Sequence, residues 1–306
     1  GCITMPWLAD VRGVLNASLG GEAVGPASLD LLFGDVNPSG KLAESFPKRL
    51  EDNPSYLYYF GDEQNRTEYR EGVFVGYRYY DKKNIDVLFP FGYGLSYTTF
   101  AYSDLKLDKT EMQDTDTLTV TVKVKNTGAV RGKEVVQLYV GMPESRTLRP
   151  DKELKGFEKV ELEPGEEKTV SFTLSKRAFA YYRTDIQDWY VESGAYTIMA
   201  AKSSREIACT ASVQITSTTE IKRVYTMDST VEEIMESPTG RAVMEKLIAG
   251  SGLVPSGESE GPDLGAGTAH MMEVMMREMP LRSLIAFGGD SVPEGLGETL
   301  LSQLNA

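Results

Sequence analysis

Residues 118–125 read LTVTVKVK, which puts Leu118, Val120, Val122 and Val124 on one side of an extended chain and Thr or Lys on the other. A helix would scatter these apolar residues around its axis, whereas a strand gathers them on one face. The stretch is therefore predicted to be a strand with one buried face and one wet face. Asn126-Thr127-Gly128 follows with turn chemistry. The pattern then returns. Residues 134–140 carry Val136, Leu138 and Val140 on one face, and 153–160 and 168–174 follow, separated by Pro164-Gly165. Short strands are predicted at 178–183 and 188–191, and longer ones at 195–201, after Ser193-Gly194, and 207–215. Short strands at this spacing predict an immunoglobulin-like β-sandwich over residues 101–216. Cys2 and Cys209 lie outside any Cys…Trp…Cys pattern, so an antibody-type domain is excluded. Trp189 is read as core. Exposed, Trp189 and Tyr190 would instead offer a sugar-stacking pair.

Residues 87–100, VLFPFGYGLSYTTF, hold five aromatic rings and no charge. Such a density predicts rings buried where two domains meet, Phe91, Tyr93 and Tyr97 among them. Gly92 and Gly94 are expected to supply positive φ or a close backbone approach. Upstream, residues 1–47 read as the end of an α/β domain. A helix is predicted over 10–19 from Val11, Val14 and Leu15, ending at Gly20-Gly21. A second follows Pro26 and stops at Phe33-Gly34, turn chemistry fills 35–40, and 41–46 is a short strand. Two helices and one strand cannot bury a core alone. The connecting segment, 48–100, is irregular at first and then predicts a strand over 73–80. Residues 217–306 form a Met-rich helical tail. Helices are predicted at 228–236, from Ser237-Pro238 to a stop at Gly250, and at 268–279, 281–287 and 293–304, with a mobile linker at 251–267. The Met-rich helix is read as packing on its own protein, with an adaptable binding face as the alternative. The fold class is thus an α+β multidomain chain.

A net charge of −13 and a pI near 4.8 repel phosphate backbones, so nucleic acid is excluded as a partner. Neutral sugars are compatible with that charge. The single histidine, His270, excludes a His-rich metal site and argues against a Ser-His-Asp triad. No phosphate-cradling glycine motif occurs, and no apolar run reaches the ~18 residues of a membrane span. A disulfide framework is excluded, although one Cys2–Cys209 bond stays open. Asn65-Arg66-Thr67 fits an N-glycosylation sequon. Glu68, Glu71 and Asp81 lie near Arg70 and Arg78. Paired carboxylates can serve a glycosidase as acid and nucleophile. The commoner reading of acids beside arginines is solvated ion pairing. The first residues, GCITMPW, have neither an initiator Met nor a basic leader, and the chain is expected to be a fragment or processed product of a longer protein.

The stretch 69–80, YREGVFVGYRYY, followed by FPFGYGLSYTTF at 89–100, resembles the C-terminal part of the family-3 glycoside hydrolases, the β-glucosidase and β-xylosidase family. MPWLADVRGVL, LFGDVNPSGKL and SFP are similar to the last elements of that family's α/β-sandwich domain. VTVKVKNTGAVRGKEVVQLYV, LKGFEKVELEPGEEKTVSFTL and WYVESGAYTIMAAKSS resemble its fibronectin type III-like domain. Two departures are Gly21-Glu22-Ala23 for a commoner Gln-Glu-Gly, and Ala43 where proline is usual. The resemblance covers the chain to about residue 216 and implies a retaining β-glycosidase acting on terminal β-D-glycosides or oligosaccharides. It also implies an Asp nucleophile in an N-terminal barrel and a Glu acid/base upstream of the MPW motif. This chain would then contribute no catalytic residue, no cofactor or metal site, and a bracing sandwich. Its expected partner is the β-glycoside substrate. A homo-oligomer is left open, and a cytoplasmic location is the expectation. The alternatives from another class are a stand-alone carbohydrate-binding module and a non-catalytic scaffold subunit.

Overall fold

The computed structural model describes residues 1–61, 63, 65–221, 223–251, 274–287, 293 and 295–305. They divide into two compact units, Gly1–Thr219 and Glu220–Ala306.

The first unit is built on a sandwich. One sheet has three strands in the order β3 (Phe100–Leu107), β5 (Leu118–Asn126) and β8 (Glu167–Leu174). The other has five, ordered β4 (Glu111–Gln113), β12 (Ile207–Thr216), β11 (Gly194–Ala201), β6 (Gly132–Gly141) and β7 (Glu153–Leu162). Only β4 and β12 pair in parallel; the other neighbours run antiparallel. The alternation has its expected cause. Leu118, Val120, Val122 and Val124 of β5 are completely buried against Ile198 of β11, Leu138 of β6 and their neighbours in one core. The strands β3 and β4, at the front of the sandwich, have no counterpart in the sequence reading. The burial of β3 alternates irregularly, and β4, three residues long, is too short to carry a period.

Several local expectations are corrected. Residues 10–19 are not helical; a 3₁₀ turn, Leu8–Asp10, is followed by irregular chain. Val11, Val14 and Leu15 are exposed and meet no core. A short helix interrupted by Gly13 has no stability of its own without a docked face. The helix after Pro26 does form, as α1 (Val24–Phe33), capped by Gly34 at φ 84°. The strand expected at 41–46 shrinks to β1 (Phe46–Pro47), paired with β2 (Val87–Phe89). The strand expected at 73–80 is instead α2 (Tyr77–Lys82). Gly76 at φ 56° breaks the extended run, and Tyr77 and Tyr80 are then buried on one helical face. Residues 178–183 divide into a helical turn, α3 (Lys176–Phe179), and β9 (Tyr181–Arg183), which pairs with β10 (Asp188–Tyr190).

The second unit has its own core of Tyr225, Val231, Ile234, Met244, Leu247, Leu281, Leu284, Leu300 and Leu304. Its helices are α4 (Val231–Met235), α5 (Pro238–Ser251), α6 (Leu281–Phe287) and α7 (Leu296–Leu304). Thr230 caps α4 reciprocally: its hydroxyl accepts from the Glu233 amide at 3.2 Å, and its own amide donates to the Glu233 carboxylate at 3.0 Å. The Ser237 hydroxyl accepts from the Gly240 amide at 2.9 Å at the start of α5. That helix passes Gly250, because a glycine weakens a helix without forbidding it. Of the Met-rich helix expected at 268–279, residues 274–277 are helical. His270, the linker at 252–267 and Gly288-Gly289 lie outside the described residues. Among the described residues no helix is long and apolar enough to cross a membrane.

Candidate functional site

The connecting segment clasps the outer face of β6. Val136, Leu138 and Val140 point into the sandwich, but Gln137 and Tyr139 on the opposite face are also buried. Tyr77 from α2 and Phe91 cover them. The Tyr77 and Phe91 rings stack at 4.7 Å, and Tyr77 meets Tyr139 edge-on at 5.9 Å. The Gln137 side-chain amide donates to the Gly92 carbonyl at 2.9 Å and to the Lys202 carbonyl at 2.7 Å. Its oxygen accepts from the Tyr139 hydroxyl at 2.7 Å. The Tyr77 hydroxyl accepts from the Leu154 amide at 2.9 Å, and the Ser204 amide donates to the Phe91 carbonyl at 2.8 Å. Burial pushes the Tyr77 and Tyr139 phenols up.

The two glycines of Gly-Tyr-Gly divide the expected roles. Gly92 has φ 78°, and a Cβ there would lie 2.0 Å from the Gln137 amide oxygen. Gly94 allows a close approach: a Cβ would lie 2.1 Å from the Gly40 carbonyl. The turn at 35–40 is the second half of the clasp. The Asn37 carbonyl oxygen accepts from the Ser96 hydroxyl at 2.9 Å and the Tyr97 amide at 2.8 Å, while its amide donates to the Arg131 carbonyl at 3.0 Å. Lys41 pairs with buried Glu134 at 3.3 Å, and Glu134 also accepts from the Tyr102 hydroxyl at 2.9 Å.

The ring burial expected over residues 87–100 is only partly realised. Phe91 and Tyr93 are half-buried, whereas Tyr97 is 52% exposed, its ring turned outward and its hydroxyl donating to the Leu31 carbonyl at 2.6 Å. Trp189 is likewise not core. It is 37% exposed on the β9–β10 hairpin, with the Arg177 guanidinium over its ring and Tyr182 edge-on at 5.4 Å. Tyr190 is half-buried against Tyr181. Cys2 and Cys209 are both free thiols, and burial raises the pKa of each.

The structure does not converge Glu68, Glu71, Arg70, Arg78 and Asp81 on one centre. The Asp81 side chain is 8% exposed and fully engaged: Lys152 lies 2.8 Å from one oxygen and Arg205 2.9 Å from the other. Arg205 also donates to the Ile85 carbonyl at 2.6 Å. Arg78 faces Glu153 at 3.4 Å, and Glu153 also holds Lys155 at 3.1 Å. Desolvation lowers the Lys155 pKa against the pull of Glu153. Glu68 and Arg70 form an exposed ion pair, with the Arg70 guanidinium also 4.6 Å over the Tyr58 ring. An Asp81 carboxylate so saturated by cations is a fastening between α2 and the sandwich rather than a base or nucleophile. Glu71 is half-buried at an open cleft of about 370 Å³ that it shares with Arg70, Tyr58, Phe74, Tyr79 and Leu148.

Apolar exposure is strongly uneven. Among the described residues, twenty-one large hydrophobic side chains are exposed within residues 1–97, against six within 98–216. Leu19, Tyr69, Phe60, Phe33 and Leu57 are the most bare, each at 79% or more. Free surface of that density marks an interaction face. Nothing in the local sequence separates these residues from core, because burial depends on what docks there.

The comparisons divide at the same junction. The family model described as the glycosyl hydrolase family 3 C-terminal domain matches residues 1–97, and that described as the fibronectin type III-like domain matches 134–204. The thermostable β-glucosidase B of Acetivibrio thermocellus is 51% identical over 304 residues, which are 99% of this chain and 39% of that protein. An exo-α-(1→6)-L-arabinopyranosidase of Bifidobacterium breve is 41% identical over 286 residues, 93% of this chain and 36% of that one. The crystal structure of a Bifidobacterium adolescentis GH3 β-glucosidase superposes with a TM-score of 0.69 at 42% identity, covering 78% of this chain and 35% of its own. The chain thus spans well under half the length of these proteins.

Proposed function

Because this chain belongs to glycosyl hydrolase family 3, through that family's C-terminal domain and a fibronectin type III-like domain, we propose that it serves as the C-terminal portion of a β-glycosidase. The activity is hydrolysis of terminal, non-reducing β-D-glycosides, and the contribution of this portion is structural. The observation that carries the reading is the concentration of exposed large hydrophobic residues in 1–97, set against a sandwich whose own core is closed. A surface so apolar is stable in water only when covered. In this reading the cover is the catalytic portion of the same enzyme. The clasp on β6 then fixes that face to a rigid body, and rigidity behind a site is what holds reacting groups in place.

Retaining hydrolysis needs one carboxylate at the anomeric carbon and a second carboxyl at the leaving oxygen. The acids of the connecting segment do not offer that pair, since Asp81 is consumed by Lys152 and Arg205 and Glu68 by Arg70. Both agents are therefore assigned to the portion this chain docks against. The test is an aryl β-glucoside assay in three arms: this chain alone, the upstream portion of the A. thermocellus enzyme alone, and the two coexpressed. Turnover only in the third arm is expected. Turnover by this chain alone, lost on Glu68→Gln or Glu71→Gln, would overturn the assignment, as would an inactive third arm beside an active intact relative.

A further inference from the structure

We propose that Arg78, Arg149 and Lys155, gathered around the single carboxylate of Glu153, form a binding site for a small oxyanion such as phosphate or sulfate. The site lies at the seam where α2 meets the start of β7, and it does not rest on the functional reading above. Against a net charge of −13, this seam is locally positive. The acids Asp81, Asp151 and Glu153 are all taken. Asp81 holds Lys152 and Arg205, and Asp151 holds Lys82 at 2.8 Å. Glu153 holds Lys155 at 3.1 Å on one oxygen and Arg78 at 3.4 Å on the other. Arg149 adds a further cation with no acidic partner among the described residues. It donates instead to the Phe179 carbonyl at 3.2 Å, with its guanidinium 5.2 Å over the Tyr181 ring.

The shortage of negative charge shows at individual atoms. The Arg78 Nε is buried without a formed hydrogen bond, although Glu153 is beside it. Lys155 keeps its carboxylate partner, yet its pKa is lowered, first by desolvation and then by the like charges of Arg149 and Arg78. Half-buried positive charge in excess of its counter-charge is costly, and a bound anion offsets that cost. The donors select an oxyanion in particular. A guanidinium offers N–H groups in a planar fork and an ammonium offers three more, which together match several oxygens on one centre. A cationic ligand is repelled, and a neutral ligand leaves the excess charge as it was. Solvent reaches the site, since the Arg78 side chain is 34% exposed and that of Lys155 17%. Glu153 acts against the ligand, because it competes for the same two cations.

The experiment titrates the whole chain with sodium phosphate by isothermal calorimetry, against sodium chloride at matched ionic strength. The variants are Arg78→Gln, Lys155→Gln, Glu153→Gln and, on the three-stranded sheet, Lys125→Gln, each checked for its fold by near-UV circular dichroism. Phosphate binding in the roughly millimolar range is expected, with sulfate competing and chloride silent. Arg78→Gln and Lys155→Gln should each weaken it about tenfold, and Lys125→Gln should leave it unchanged. Glu153→Gln should tighten it several-fold, because the competing carboxylate is gone; a purely structural ion pair predicts no such gain. Arg78→Gln and Lys155→Gln each leave Glu153 one cation, so they keep the test open even if Glu153→Gln does not fold. Phosphate heats no different from those of chloride overturn the proposal. So does binding untouched by Arg78→Gln and Lys155→Gln, or a folded Glu153→Gln chain that binds phosphate no more tightly than the parent.

Discussion

Gly92 shows how much a single position can carry. Its positive φ admits an L side chain only under strain, and its missing Cβ is the space that Gln137 occupies. Gly92→Ala should therefore cost roughly 2 kcal/mol or more, read from denaturant melts. Gln137→Leu attacks the same contact from the other side. It strips partners from the Gly92 and Lys202 carbonyls and from the Tyr139 hydroxyl, at roughly 1–3 kcal/mol for each group left buried and unpaired. A loss under about 0.5 kcal/mol would mean that water replaces the side chain and the clasp is loose. Asp114 supplies the pH dependence. It is fully buried; burial raises its pKa, but the Thr218 hydroxyl and amide and the Lys176 ammonium outweigh this and hold it below the ordinary 3.8. A depressed carboxyl means that the unfolded chain binds the extra proton first. The Asp114 contribution should thus be complete above pH 3.8 and be lost only as the pH falls below it. Asp114→Asn should flatten that acid limb in melts followed as a function of pH; an unchanged limb would remove Asp114 from the account.

At the level of elements, β5 and β6 illustrate two kinds of strand. In β5 every second residue is buried and its outward Thr and Lys residues are half-buried or exposed, so its sequence is a direct record of its environment. From Val136 onward β6 is buried on both faces, with only the sandwich-facing side announced by its apolar residues. The other face is closed by Tyr77 and Phe91, which are far from it in sequence. Leu118→Ala in β5 should cost about 2–5 kcal/mol, as fully buried leucines do. Hydrogen exchange should rank the elements: β5, β6 and β11 slowest, and the irregular chain at 11–23 fast. Equal protection in both would mean that the N-terminal face is packed in solution.

For the whole molecule, the exposed face of residues 1–97 and the closed core of the sandwich predict opposite behaviour. A polarity-sensitive dye such as ANS should bind this chain and be displaced when the upstream portion of a β-glucosidase is coexpressed with it. Dye binding that persists in an active coexpressed complex would place the apolar surface outside the interface. The second unit, with its separate core, should be dispensable for the first. A chain ending at Thr219 should keep the cooperative melt of the sandwich, and loss of that transition would show that the two cores are not independent.

What the amino-acid order determined by itself was the sandwich, its turns and the family. These rest on short-range physics: a period of two along a strand, Gly, Pro and Asn at turns, and motifs within a dozen residues of one another. The same local rules misread 10–19 as a helix and 73–80 as a strand, because each pattern was formally present while its deciding partner was elsewhere. Val11 and Val14 found no core to dock on, and Tyr77 found Phe91 and Tyr139. Tertiary structure alone decided that Asp81 is neutralised by Lys152 and Arg205, residues distant from it in the chain, and that Glu71 lies at a cleft shared with Tyr58, Phe74 and Tyr79. Burial and charge pairing are sums over everything that comes near in space, and a linear pattern carries only the neighbours along the chain.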